Sequence, residues 1–322
     1  MKMQKTMKMH KINEQKTIDK TFFALGTVNT IMLNQCGNLE IIDKAIQRVY
    51  EIDDKMSAFK YDSDISKISR NAGFGAQEVH RETFNLIKKA VGFGALTNGA
   101  FDITMRPMIK LWGINEKEDY IPSDIEIQET LKLVNYKDIV LDEKKCSVAL
   151  KKTGQSIDLG GIAKGYAADE VKRILIENGI ESALINLGGN VVTIGTKLPG
   201  QEWRVGIQNP LSPTGEYLGV LSATNKTIVT SGSNERFFIK DGVRYHHILD
   251  PRTGKPAQSE LLSATAIGSS STDADAITTA IFILGPQNSI ELLKQLEVET
   301  VFVTKDLSIM VSNGLVGNFE VL

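Results

Sequence analysis

The sequence predicts an α+β fold: a largely antiparallel sheet core with flanking helices, forming a single compact unit of two lobes. Three observations carry this expectation. Stretches with helical spacing are mixed with strands that read as mostly antiparallel. Hydrophobic residues make up 42% and charged residues 24% of the 322 residues, a balance that supports a packed core. No linker, internal repeat or low-complexity segment divides the chain.

The elements follow in order. Residues 1–20 are polar, lysine-rich and without periodicity, so they predict a flexible tail ahead of a domain spanning 21–322. Residues 21–33 read as a strand broken at Gly26-Thr27. Residues 39–54 carry Ile41, Ile42, Ala45, Ile46, Val49 and Ile52 at helical spacing, with a turn over 60–64 and a short helical turn over 66–68. Residues 81–96 form a second amphipathic helix, stopped at Thr97-Asn98-Gly99. A third spans 122–134, with Ser123 or Asp124 as its cap. A hairpin over 139–142 and 147–151 precedes a tight turn over 157–161 and a helix over 163–178 closed by Gly179. Strands are expected at 183–186 and 191–196. Those at 203–208, 219–223, 227–230, 237–239 and 245–249 are expected to form one antiparallel sheet. A strand at 262–267, helices at 272–284 and 289–296, and a hairpin over 301–304 and 309–312 complete the chain.

Composition excludes several classes. The net charge of −2 argues against non-specific nucleic-acid binding, which rests on clustered Lys and Arg. No run of 18 apolar residues predicts a membrane span. Cys36 and Cys146 lie far apart with no metal-ligand spacing, so each reads as a lone thiol. The first 20 residues lack an apolar leader region, which predicts a cytoplasmic protein or one whose leader has been removed to leave an extracytoplasmic, membrane-anchored form.

The densest chemistry lies at 244–256. Two of the four histidines, His246 and His247, sit side by side before Asp250-Pro251-Arg252-Thr253-Gly254, which has strong turn chemistry. There His247 or His246 could move a proton near neutral pH, Asp250 could orient it, and Arg252 could meet phosphate oxygens. A polar hairpin end with two solvated histidines is the other reading. Asp158 to Gly165 (DLGGIAKG) makes a strand–turn–helix in which glycines permit close approach and Lys164 adds charge, as a phosphate site or a packing turn would require. Leu187-Gly188-Gly189-Asn190 reads as a simple hairpin turn. Asp275 and Thr279 share one helix face and could hold Mg²⁺ through oxygen ligands. In Gly99-Ala100-Phe101-Asp102, Asp102 could meet a heterocycle edge while Phe101 packs on its face, or the pair could be a core Phe and a turn cap. Taken together these parts describe a site for a Mg²⁺-bound pyrophosphate.

With these residues in view, the sequence resembles the ApbE-type FAD:protein FMN transferase family. The matches run in order from about residue 21 to 285: Ala24-Leu25-Gly26-Thr27, Met56-Ser57-Ala58-Phe59, Gly99 to Thr104 through Leu111-Trp112-Gly113, Asp158 to Tyr166, Asn186 to Asn190, Thr230-Ser231-Gly232, His247 to Gly254, and Ala274-Asp275 with Thr279. The resemblance implies that FAD binds with Mg²⁺ on its pyrophosphate, that FMN passes to a Thr or Ser of an acceptor flavoprotein, and that AMP leaves. It implies Asp275, Thr279 and the Ala163 carbonyl as metal ligands, and His247 as the acid–base residue beside Asp250 and Arg252. It also implies flavin-nucleotide contacts from Leu25, Phe59, Ala100, Phe101, Asp102, Asp158, Gly160, Lys164, Tyr166, His247 and Ile248. The family usually has Met at Leu25 and Tyr at Phe59, so apolar bulk and stacking are kept while a hydroxyl is lost. Members are commonly exported or lipid-anchored. A Mg²⁺-dependent FAD pyrophosphatase and a non-catalytic FAD-binding protein are the competing readings.

Overall fold

The computed structural model describes residues 17–34, 39–114, 117, 120–197, 199–213 and 215–322. Its centre is an eight-stranded sheet, in spatial order Ile18–Ala24, Thr27–Leu33, Ala183–Leu187, Asn190–Ile194, Thr227–Gly232, Leu261–Gly268, Glu299–Thr304 and Ile309–Val311. Every neighbouring pair is antiparallel, as expected. Among the described residues there are seven α-helices: α1 (Leu39–Met56), α2 (Asp64–Arg70), α3 (Arg81–Leu96), α4 (Arg106–Trp112), α5 (Asp124–Leu131), α6 (Ala163–Glu177) and α7 (Ser271–Leu296). None is long and apolar enough to cross a membrane among the described residues.

Local chemistry explains the helices. In α1, Ile42, Ala45, Ile46, Val49 and Ile52 are buried as the spacing predicted, while Ile41 is half-buried and Met56 extends the face one turn further. Ser123 caps α5 in a capping box with Glu126. The two helices expected near the C-terminus are the halves of α7, separated where Gly285 adopts φ 77° and ψ 169° just before Pro286.

Three expectations are corrected. Ile18–Lys20 belong to the first sheet strand, pairing with Ile31–Leu33, so the domain begins earlier than residue 21; residues 1–16 and Cys36 lie outside the described residues. The strands from 203 to 249 do not share one sheet. Trp203–Gln208 pairs with Tyr217–Ala223, which pairs on its other side with Phe319–Val321, while Thr227–Gly232 joins the central sheet and Phe237–Lys240 pairs only with Val243–His246. The expected strand over 245–249 stops at His246, and the chain bends at His247 before Leu249–Asp250 pairs with Lys255–Pro256. Alternation marks where strands lie but not which partner each will find.

The sheet opens beside Thr227–Gly232. This strand pairs with Leu261–Gly268 along its whole length, yet with Asn190–Ile194 only at Thr227 and Ile228. Its Thr230, Ser231 and Gly232 line a cleft that α1, α4, α6 and the start of α7 help to wall.

Candidate functional site

The cleft is a cavity of about 930 Å³, within the range of roughly 300–1,000 Å³ usual for ligand pockets. It gathers most of the residues singled out by the sequence. Leu25, Phe59, Ala100, Phe101, Asp102, Asp158, Gly160, Ala163, Lys164, His247, Ile248, Asp275 and Thr279 all line it, although they are spread over some 250 positions. Leu25 enters from a two-residue hairpin turn in which it holds φ 54° beside Gly26 at φ 71°. A non-glycine residue there carries some backbone strain, at a position aimed into the cavity.

His246 ends its strand and His247 sits at the bend that follows, and the two side chains have different surroundings. His246 is buried, with its ring edge-on to Phe282 and Nε2 at 3.2 Å from the Ala257 carbonyl. His247 faces the cavity. Its backbone N–H donates to the Arg236 carbonyl at 3.0 Å, and Nδ1 lies 3.3 Å from the same oxygen. A carbonyl only accepts, so that contact assigns the proton to Nδ1 and leaves the Nε2 lone pair free. Desolvation pushes the imidazole down to about 4, assisted by the positive charge of Arg236, with His246 and Lys164 also contributing. The ring is therefore neutral and able to accept a proton at pH 7.

Asp250 does not orient His247. Its carboxylate receives the backbone N–H of Arg252 at 2.9 Å and the Arg252 guanidinium at 2.9 and 2.7 Å, closing the turn on itself. Arg252 is accordingly paired with Asp250 rather than presented to a ligand, and only Pro251 of this turn reaches the cavity. Trp112 Nε1 fixes the turn from behind by donating to the Gly254 carbonyl at 2.7 Å. The orienting role expected of Asp250 falls to the Arg236 carbonyl, which sequence spacing gave no means to find.

Of the two readings of the glycine turn after Asp158, its backbone follows the packing turn. Its N–H groups point mostly inward: Gly160 donates to Asp158 Oδ1 at 2.8 Å, Ile162 and Ala163 to the Leu159 carbonyl, and Gly165 to Asp275 Oδ2 at 2.9 Å. The cationic group from this stretch is Lys164, whose Nζ donates to the Gly160 carbonyl at 3.0 Å and lies 3.9 Å from Asp275 Oδ1. Gly165 itself is a packing residue. A Cβ there would stand 2.1 Å from the Ser271 carbonyl oxygen and 2.8 Å from Asp275 Cβ, so glycine lets α6 and α7 meet. Gly165→Ala is expected to destabilise the fold by about 1–3 kcal/mol. Gly92→Ala, in open space on α3, should instead stabilise it by about 0.4–1 kcal/mol. Denaturant unfolding checks both; equal effects would refute the packing role.

Asp275 is buried, with Oδ2 bonded to Gly165 N–H and Oδ1 3.9 Å from Lys164 Nζ. A buried carboxylate with a partly unmatched oxygen, one turn from the Thr279 hydroxyl, fits a hard cation that takes oxygen ligands. Gly161 adjoins them, since a Cβ there would lie 3.7 Å from Thr279 Oγ1. Among the described residues no three His, Cys, Asp or Glu side chains gather as a metal site. Any cation here would rely on hydroxyl, carbonyl, water or ligand oxygens as well. Glu235, unforeseen in the sequence, also lines this corner.

Two aromatic expectations divide. Phe59 projects into the cavity, whereas Phe101 is buried edge-on against Phe93, with a ring carbon that a Gly161 Cβ would approach to 3.1 Å. Asp102 is a turn cap: its carboxylate accepts from Thr104 N–H, the Thr104 hydroxyl and Tyr136 N–H at 2.6–2.8 Å, leaving little capacity for a heterocycle edge. Tyr166 lies away from the cavity, its hydroxyl 3.2 Å from Glu82 in a polar network with Arg48. Its place in the helix turns it toward α1 and α3. Conversely, Gly188 and Asn190 of the hairpin turn do line the cavity.

A model of the ApbE family matches residues 25–302. The chain is similar to an FAD:protein FMN transferase of Klebsiella pneumoniae (strain 342), 37% identical over 274 residues that span 85% of each protein. It is similar also to that of Treponema pallidum (strain Nichols), 34% identical over 281 residues, 83% of this chain and 78% of the other. Among solved structures it is similar to the ApbE protein of Thermotoga maritima, with a TM-score of 0.86 and 33% identity over 94% of this chain and 99% of that one.

Proposed function

This chain belongs to the ApbE family, and on that premise we propose that it is an FAD:protein FMN transferase. The observation that carries the reading is the single cavity that sets a neutral, desolvated His247 among Lys164, the Asp275–Thr279 corner and the Phe59 ring. FAD would lie along this cavity with its pyrophosphate toward Lys164 and Asp275. His247 Nε2 takes the proton from a Thr or Ser hydroxyl of an acceptor flavoprotein. That oxygen attacks the phosphorus on the flavin side, the P–O bond to the AMP phosphate breaks, and AMP leaves as FMN becomes a phosphoester on the acceptor. Asp275, Thr279 and the Ala163 carbonyl would hold Mg²⁺, which would neutralise phosphate charge when bound. Approach of the anionic pyrophosphate also raises the His247 basicity from its depressed level, so the base strengthens when substrate is in place.

Hydrolysis is the second reading, because water could occupy the acceptor position in the same open cavity. The test is AMP release from FAD and Mg²⁺, with and without an acceptor protein, together with a mass measurement of the acceptor. AMP formed only with acceptor, matched by an FMN adduct, is the expected result. Equal AMP in both arms with no adduct would replace transfer by hydrolysis.

A further inference from the structure

The geometry points to Arg106 as a positioning residue that holds Phe59 as a platform on which a flat heterocycle of FAD stacks, an inference that rests on the FAD reading above. Arg106 opens α4 and is buried, at 7% exposure. A buried guanidinium needs partners around it. Nη1 donates to Asp158 Oδ2 at 3.0 Å, Nη2 lies 3.5 Å from the Ala58 carbonyl, and Cζ sits 4.0 Å from the centroid of the Phe59 ring. One cation therefore ties three cavity walls together: the loop after α1, the turn at Asp158 and the start of α4.

Phe59 explains why such a tie is needed. The residue is 73% exposed on a loop, where few neighbours fix the orientation of its ring. It carries no hydroxyl with which to anchor itself. The guanidinium plane supplies the anchor by lying against one face of the ring, an arrangement favoured by the ring quadrupole. The exposure leaves ring surface open at the cavity, where a flavin or an adenine could stack. Arg106 would thus act on the ligand through Phe59 without touching the reacting phosphorus.

The experiment compares Arg106→Met, Arg106→Lys, Phe59→Leu and the Arg106→Met/Phe59→Leu double variant. Arg106→Met is expected to raise the FAD KM about tenfold, the upper range for losing a partly desolvated cation–π contact. The kcat for FMN transfer at saturating FAD should stay unchanged. The double variant should be no weaker than the more affected single variant, because both changes remove one platform. Arg106→Lys, which keeps the charge for Asp158 but loses the plane, should recover only part of the affinity. Separate titrations with FMN and with AMP, followed by flavin fluorescence and calorimetry, identify which ring stacks by which affinity falls. A fall in kcat with unchanged KM, fully additive losses, or unaltered affinity for FAD, FMN and AMP would overturn the assignment. If Arg106→Met fails to fold, the same cycle is run with Arg106→Lys and read by the same criteria. If the wild type proves not to transfer FMN, the titrations still test the platform, so its failure is distinguishable from failure of the transferase reading.

Discussion

Replacing His247 with Ala is expected to slow FMN transfer by about 10²–10⁴-fold, the usual cost of losing a general base. FAD binding should be largely intact, because the other contacts to the nucleotide are assigned to Lys164, the Asp275 corner and the Phe59 wall. The reason is geometric. Of the two adjacent histidines only His247 faces the cavity, and its bond to the Arg236 carbonyl leaves Nε2 as the free nitrogen. His246→Ala should lower the thermal midpoint, since the ring packs on Phe282, while sparing transfer by the folded protein. A His247→Ala protein that flavinylates an acceptor near the wild-type rate, with His246→Ala inactive, would reverse the assignment.

The pH profile offers a second readout on the same residue. Burial lowers both histidines from 6.5 to about 4 in the folded chain. The kcat/KM of the free enzyme should therefore keep its acid limb well below pH 6.5, and His247→Ala should abolish that limb. The sign for stability follows from linkage. The folded pKa is depressed, so the stabilising contribution is complete above pH 6.5 and declines as pH falls toward 4, where the unfolded chain takes up protons that the folded chain refuses. An acid limb centred near pH 6.5 would show that His247 is not desolvated as the cavity requires.

Asp275→Asn is expected to have the next largest effect. The amide oxygen can still accept the Gly165 N–H, so the junction of α6 and α7 is kept while the charge is lost. Metal stabilisation of phosphate charge amounts to several kcal/mol, so transfer should fall on the order of 10²-fold or more. With Mg²⁺ at the proposed site, the concentration needed for half-maximal transfer should rise. Asp275→Ala should match it in activity but also lose thermal stability, because the Gly165 N–H is left without its partner. Either variant retaining wild-type activity and Mg²⁺ dependence would remove Asp275 from the metal corner.

The contrast between these two residues shows what could be read from the chain. Asp275 and Thr279 were legible because helical spacing alone puts them on one face. The histidine pair was legible as chemistry, but which of the two faces the cavity was decided by the bend at His247. Asp250 was misjudged as an orienter because short-range proximity cannot distinguish a turn that closes on its own arginine from one that serves a neighbour. Asp102 could be read as a turn cap or as a ligand contact, and the choice rested partly on Tyr136, which comes from 34 residues away.

By itself the sequence determined the α+β class, the helical faces, the turn chemistry and the motifs that gather in one cavity. Those depend on periodicity and on local backbone preferences, which are written in neighbouring residues. The tertiary structure alone decided which strands share a sheet, that the central sheet parts beside Thr227–Gly232, and that the glycine turn points its N–H groups inward. It also decided that Arg106 meets both Phe59 and Asp158. A buried cation or an opened strand edge is satisfied by whichever distant group packing brings within reach, and no local pattern encodes that choice.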